Sequence, residues 1–304
     1  MTRSTASART AVRTGSAGGP AHLRRTLPRA LPWTLTGATV LVQIVYPLMP
    51  DAVRTEITVV SVLVFCAASV SDVARVHGLR GVAVLTTVAG GGGLFVEAVG
   101  VRTGVPFGAY AYTGDLGPEV FGVPAVVPLA WTMMAWPALV VGRTLARRWP
   151  VAVVGGAALA AWDLFLDPQM VDAGHWTWAH PEPALPLVPG IPLTNYAGWL
   201  VVAVVMVGTL DALLPRQERP SGPAAALYLW TYGSSVLAHL VFFGRPGAAV
   251  VGGVVMGTLA LPFARALWRA DGTRSAAPVP PTAPGSTPLG STGSARPRDE
   301  GQSA

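Results

Sequence analysis

The sequence has few charged residues, no lysine and a single cysteine. Only 12% of its 304 residues are charged, 51% are hydrophobic, and the mean hydropathy is +0.49. A soluble domain carries about 25% charged residues, so this composition predicts a membrane protein. Because Cys66 is the only cysteine, an intramolecular disulfide is excluded.

The sequence also lacks the local motifs of several common catalytic chemistries. It has no Gly-x-Ser-x-Gly, no paired-cysteine motif and no His-Glu-x-x-His. The glycine run 90–93 lacks the Lys and Ser/Thr of a phosphate loop, so it indicates a kink, a ligand approaching the backbone, or close helix packing. We therefore predict no cofactor and no metal.

Eight apolar runs fill the middle of the chain and predict an all-α, polytopic membrane bundle of about eight transmembrane helices. They cover residues 31–49, 56–72, 80–100, 123–142, 150–167, 198–214, 224–243 and 247–267. The flanking segments are rich in small and polar residues, and we predict that both are disordered. The predicted division is an Arg-rich tail at 1–30, a transmembrane catalytic domain at 31–270 and a second tail at 271–304.

The net charge of +6 comes from arginines, which lie mainly between the apolar runs. If the N-terminus is inside, 18 arginines lie on the cytoplasmic side, and three (Arg54, Arg102 and Arg245) lie outside. This split predicts a multi-pass protein of the cell membrane with both termini cytoplasmic. Because the arginines serve as topology signals, we predict no binding of nucleic acid.

Two long connections, 101–122 and 168–197, lie on the predicted outer side. Loops of this length in a compact protein are usually functional, although aromatic residues also suit a membrane interface. A weak internal echo accompanies them: residues 122–124 (Gly-Val-Pro) precede Trp131 at the same spacing as residues 190–192 (Gly-Ile-Pro) precede Trp199. A repeated hairpin plan and chance both explain the echo.

Three acidic residues fall in the outer third of apolar spans. Asp163 and Asp167 are four residues apart, so they share one helix face, and Pro168 predicts that the helix ends there. Glu97 lies at a similar depth in another span. Buried carboxyls are expensive in a membrane and usually functional, so these three are candidate general acids and bases. The alternative is a structural role, in interhelical hydrogen bonds or an ion pair with Arg102.

Three histidines are weaker candidates for chemistry than the three acids. His175 and His180 are close in sequence, but their spacing matches no helical pair of metal ligands and no cysteine joins them. His239 lies within an apolar run, where it is either a proton relay or, more commonly, a hydrogen-bonded link between helices.

An ordered series of motifs resembles the bisanhydrobacterioruberin hydratase-like family of membrane carotenoid hydratases. The motif residues are Glu97, Gly100, 106–113, 116–117, 122–124, Trp131, 162–164, 167–168, Trp176, Trp178, 190–192, 195–196 and 198–199. The resemblance is strong over about residues 80–215, and it departs at the proline-rich stretch 179–189.

The resemblance implies that the chain hydrates the terminal isopropylidene double bond of an acyclic carotenoid without a redox cofactor. Its implied catalytic residues are Glu97, Asp163 and Asp167. Further candidates for substrate binding are Tyr110, Tyr112, Trp131, Trp162, Trp176, Asn195 and Trp199. Which carboxyl is the acid stays open.

The residues agree with this chemistry independently of the family. Hydrating a trisubstituted alkene needs a proton donor, a base for water, and aromatic faces that tolerate a carbocation. The alternatives are a cyclase or isomerase of the same cation chemistry, a membrane transporter, and a pigment-binding partner. The expected partners are the carotenoid and membrane lipid; contact with other carotenoid biosynthesis enzymes stays open.

Overall fold

The computed structural model describes residues 28–275, with side chains described to residue 270. Its helices are α1 (Ala30–Val45), α2 (Arg54–Leu85), α3 (Gly92–Thr103), α4 (Val126–Leu145), α5 (Pro150–Asp172), α6 (Leu193–Leu213), α7 (Gly222–Val241) and α8 (Pro246–Ser275), and a π-helical segment (Thr86–Gly91) joins α2 to α3. This confirms the predicted all-α bundle. The predicted tails lie outside the described residues except at their edges, where α1 starts and α8 ends.

The chain reverses direction at Gly78, inside α2. Gly78 has φ 69° and ψ −167°, which an L-residue with a side chain rarely adopts. Thr58 and Glu97 lie about twenty residues before and after it, yet both line one cavity. A straight helix would hold them roughly 60 Å apart. The predicted runs 56–72 and 80–100 are therefore two helical segments that both reach this cavity.

Six helical stretches within residues 28–270 are long and apolar enough to cross a membrane. Residues 51–103 count as one of these stretches, and α7 is not among them. The protein is thus a polytopic membrane protein, while the count of eight spans and its orientation stay predictions.

Helices α4 and α5 form the centre of the bundle. Large side chains of α4, including Trp131, Met134 and Trp136, are almost fully buried. Most of α5 is also enclosed, by α4, α6 and α8. Helices that are apolar on every side pack in the interior, so polar side chains on these two helices face other protein groups rather than lipid.

Helix α5 continues past Pro168, so the prediction that it ends there is wrong. It runs to Asp172 with Pro168 inside it. Proline removes a backbone donor and disturbs the preceding turn. Here Nε2 of His239 on α7 lies 3.0 Å from the carbonyl oxygen of Phe165 in that turn. The carbonyl that loses its donor to Pro168 is that of Leu164, and His239 contacts the next carbonyl of the same turn.

The two long connections contain short strands that the sequence analysis did not predict. They are β1 (Tyr110–Tyr112), β2 (Glu119–Val120), β3 (Val123–Pro124), β4 (Trp176–Trp178), β5 (Ala184–Leu185) and β6 (Val188–Pro192). Strand β1 of the first connection pairs antiparallel with β4 of the second, so that Tyr110 lies opposite Trp178 and Tyr112 opposite Trp176. The two connections therefore form one cap over the same end of the bundle.

Candidate active site

A cavity lies beneath this cap, with an empty volume of about 660 Å³ that includes the open space at its mouth. It is enclosed by α2, α3, α4, α5, α6 and the β1–β4 pair. Nine of the ten residues proposed from the sequence line it: Glu97, Tyr110, Tyr112, Trp131, Trp162, Asp167, Trp176, Asn195 and Trp199. The tenth, Asp163, lies behind Asn195 and is fully buried.

Glu97 of α3 accepts hydrogen bonds from three aromatic side chains. Its Oε2 accepts from the hydroxyls of Tyr110 at 2.5 Å and Tyr112 at 2.9 Å, and its Oε1 accepts from Nε1 of Trp131 at 3.0 Å. Burial and the neighbouring Glu97 raise the pKa of both tyrosines, so their hydroxyls stay protonated and donate. Three donors of this kind stabilise a carboxylate, because each bond to an ionised acceptor is stronger than a neutral one.

Two glycines allow these donors to reach Glu97. A Cβ at Gly93 would lie 2.8 Å from the ring of Trp131, and a Cβ at Gly100 would lie 3.0 Å from the hydroxyl of Tyr110. The first distance is shorter than real Cβ contacts, and the second is tighter than most of them. Within the glycine run, Gly93 therefore serves close packing, one of the alternatives from the sequence.

Asp163 and Asp167 converge on the side-chain amide of Asn195. The Asn195 nitrogen donates to Oδ2 of Asp163 at 2.9 Å and also to Oδ2 of Asp167. Oδ1 of Asp167 accepts from Nε1 of Trp176 at 3.1 Å. The two aspartates share a helix face as the sequence predicted, and α6 supplies the amide that joins them.

Two buried polar atoms near this pair have no hydrogen-bond partner among the described residues. They are Oδ1 of Asp163 and the hydroxyl of Tyr196. Tyr196 lies within electrostatic range of both aspartates. Unpartnered buried polar atoms are rare and are often found at sites of chemistry.

Aromatic rings form the remaining walls. Trp131 and Trp199 stack with ring centroids 4.0 Å apart and an interplanar angle of 14°. These are the two tryptophans of the internal echo, so the structure places the equivalent positions in contact. Trp162 meets Trp199 edge-on at 6.2 Å, and Tyr112 meets Trp176 edge-on at 5.7 Å. Such faces attract a positive charge, most strongly where water is excluded.

The sequence analysis allowed structural roles for the buried acids and for His239. Arg102 donates to the carbonyl of Ala98 in its own helix, and the described ion pairs do not include Glu97. His239 contacts the Ser235 carbonyl within α7 through Nδ1 and the Phe165 carbonyl of α5 through Nε2, and the second contact confirms a histidine bonded between helices.

His175 is buried whereas His180 is exposed, so the pair does not form one site. Burial lowers the pKa of His175, and nearby Asp115 opposes that effect. Within the described residues, no three His, Cys, Asp or Glu side chains lie together as a metal site would require.

Sequence reasoning missed part of the cavity wall. Thr58 and Val62 of α2 line it, as do Met133 and Met170. The spacing of Thr58 and Val62 puts them on one helix face, but the direction of that face depends on the reversal at Gly78. Trp178 also lines the cavity, and its Nε1 donates to the Phe107 carbonyl at 2.9 Å.

Comparison with known proteins places the chain in a family. Residues 56–259, well over half of the chain, match the family described as "Carotenoid biosynthesis protein". The chain belongs to this family. All ten candidate residues lie within the matched segment of this carotenoid biosynthesis protein.

A curated relative supports the resemblance seen in the sequence motifs. The bisanhydrobacterioruberin hydratase of Haloarcula japonica is 35% identical over 122 residues, which are 38% of this chain and 40% of that protein. The match thus spans less than half the length of the curated relative. No solved structure is significantly similar to this carotenoid biosynthesis protein.

Proposed function

We propose that this carotenoid biosynthesis protein is a hydratase that adds water to the terminal isopropylidene double bond of an acyclic carotenoid. The observation that carries the proposal is one aromatic-walled cavity with carboxyls in two different hydrogen-bonding environments: Glu97 and Asp167 line the cavity, and Asp163 lies behind it. Family membership and the 35% identical hydratase support a carotenoid substrate and this type of reaction.

The Asp163–Asp167 pair is the proposed acid. Two carboxylates that share a buried site repel each other, so holding one proton between them lowers the energy of the pair. Asp167 faces the cavity and Asp163 lies behind Asn195. Asp167 therefore delivers the proton to the alkene, and Asp163 shares that proton with Asp167 before the transfer.

Glu97 is the proposed base. Its three donors favour the ionised form, and it lines the same cavity as Asp167. In the ionised state it orients a water molecule and accepts a proton from it as the new carbon–oxygen bond forms.

The proposed reaction balances without an oxidant or a reductant. The proton adds to the alkene carbon that carries one hydrogen, leaving a tertiary carbocation at the dimethyl carbon. The faces of Trp131, Trp162 and Trp176 attract this cation by roughly 2 kcal/mol or more each when desolvated. Water then bonds to the cationic carbon and gives its spare proton to Glu97, so the product is a tertiary alcohol.

Isotope labelling tests the proposal directly. The purified protein is incubated with an acyclic carotenoid, without oxygen gas, in water labelled with deuterium and oxygen-18. We expect one deuterium on the carbon beside the carbinol and one labelled hydroxyl oxygen. A product that needs oxygen gas would instead indicate a hydroxylase, and a product of unchanged mass would indicate a cyclase or an isomerase.

A further inference from the structure

A second cavity adjoins the candidate active site on its α2 side. It has an empty volume of about 770 Å³ and lies between α1, α2, α5 and α7. The two cavities share the lining residues Thr58, Val62, Met133, Trp162, Leu166 and Met170. Methionine side chains have three rotatable bonds and adapt to irregular shapes, so this shared wall is deformable.

A third cavity continues from the second toward the surface that faces lipid. It has an empty volume of about 780 Å³ and lies between α1 and α7. It shares Gln43, Pro47, Ser234 and Ala238 with the second cavity. At its outer side Leu48, Leu237 and other large apolar side chains are exposed.

The helices at the junction are linked by one side chain, Gln43 of α1. Its Oε1 accepts a hydrogen bond from Nε1 of Trp230 on α7 at 2.8 Å, and its Nε2 donates to the hydroxyl of Ser61 on α2 at 3.3 Å. These bonds hold the three helices around the junction of the second and third cavities.

We propose that the three cavities form a lateral passage, through which the polyene chain of an acyclic carotenoid enters from the lipid between α1 and α7. During reaction its end group lies against Glu97 and Asp167, and its chain lies back through the passage. This inference rests on the proposed function, because it takes the carotenoid as the substrate.

The chemistry of the walls selects this occupant. The residues that line the second and third cavities are all uncharged. An ion or a phosphate would find no opposite charge there. A long neutral hydrocarbon needs none, because it only exchanges contacts with lipid for contacts with the walls. The hydroxyls and amides of the second cavity are suited to the alcohol of the product, which leaves by the same way.

Gly233 offers a way to block the passage without disturbing the fold. It lies on α7 in the wall of the third cavity, and a Cβ built there would meet no atom within 4 Å. Gly37 on α1 is a matched control. It is also exposed and free of neighbours within 4 Å, but it lines none of the three cavities.

The test is binding of an acyclic carotenoid to the purified full-length protein in lipid nanodiscs, measured by the circular dichroism that the protein induces in the polyene. We expect Gly233→Phe to weaken binding at least tenfold and Gly37→Phe to leave it unchanged. Wild-type affinity in Gly233→Phe, or equal losses in both variants, would overturn the passage. If Gly233→Phe does not accumulate, Ser234→Leu at the junction of the second and third cavities is measured instead.

The binding measurement also separates the two proposals. If the wild-type protein binds the polyene, the Gly233 variant does not, and no water is ever added, the passage stands and the hydratase proposal fails. If the protein adds water and Gly233→Phe binds and turns over normally, the hydratase proposal stands and the passage fails.

Discussion

At the scale of single residues, the chemistry of each carboxyl depends on which groups donate hydrogen bonds to it. Glu97 accepts from two phenols and one indole, whereas Asp163 and Asp167 share one amide and Asp167 accepts in addition from one indole. Donors that hold a carboxylate from several sides favour its ionised form, and a shared donor leaves two acids that repel each other. This difference gives residues of the same type opposite proposed roles.

The first residue-scale prediction concerns the carboxyls. Glu97→Gln and Asp167→Asn keep size and remove the ionisable group, so we expect each to lower turnover by about 10²–10⁴-fold, the usual contribution of general acid–base catalysis. Asp163→Asn should lower turnover by a smaller factor, because Asp163 does not line the cavity. Turnover per inserted molecule is measured by product mass spectrometry.

Glu119→Gln is the control, since Glu119 is exposed on β2. Full activity in all three site variants would show that the acid and the base are other residues.

The second residue-scale prediction concerns Asn195. Asn195→Leu removes the amide shared by the two aspartates. Hydrogen bonds to charged groups contribute roughly 1.5–3 kcal/mol, so turnover should fall about ten- to a hundredfold. The pH profile should move as well, because the amide N–H no longer stabilises the ionised form of the pair.

Thr194→Val changes the exposed neighbouring residue and should alter neither quantity. An unchanged pH profile in Asn195→Leu would show that the amide only supports the fold.

At the scale of elements, the non-helical residue Gly78 in α2 and the proline inside α5 shape the site. Gly78 reverses the chain so that α2 and α3 both reach the cavity. Helix α5 passes through Pro168 and carries both aspartates to the cap end of the bundle. His239 from α7 contacts the turn before Pro168, so a distant element supports the helix that holds the acids.

The prediction at this scale concerns Gly78. Its positive φ with ψ near 180° is a region essentially restricted to glycine, and forcing a side chain into it costs of the order of 1–3 kcal/mol. Gly78→Ala should therefore lower the Tm of the detergent-solubilised protein. Gly92→Ala is the matched control, because Gly92 is helical and a Cβ there meets nothing within 4 Å. Equal Tm values for the two variants would argue against a strained reversal.

At the scale of the whole molecule, the distribution of charge predicts the orientation in the membrane. From the arginines we predict that the β1–β4 cap lies on the outer side and that both termini lie inside. A reporter inserted at Pro186, between β5 and β6, should therefore read external. The same reporter between α6 and α7, at residues 215–220, should read cytoplasmic. Reversed signals would overturn the orientation and with it the side on which the candidate site lies.

The class of this protein and the starts of most helices follow from the amino-acid sequence alone. Apolar runs long enough to span a bilayer predict helices without knowledge of their neighbours, and the bounds of α1, α4, α5, α7 and α8 agree with the predicted runs at their starts within a few residues. The cost of burying carboxyls singled out Glu97, Asp163 and Asp167, and the ordered motifs predicted the family that the comparison confirmed.

How these helices and loops meet depends on contacts between residues that are distant in the chain. Local pattern carries no information on which donor faces Glu97, on the pairing of β1 with β4 or on the stacking of Trp131 on Trp199, since each joins residues far apart in the chain. The same limit explains the error at Pro168. A proline ends a helix by local rules, but α5 continues to Asp172 in its packed surroundings, where His239 of α7 contacts the turn before Pro168.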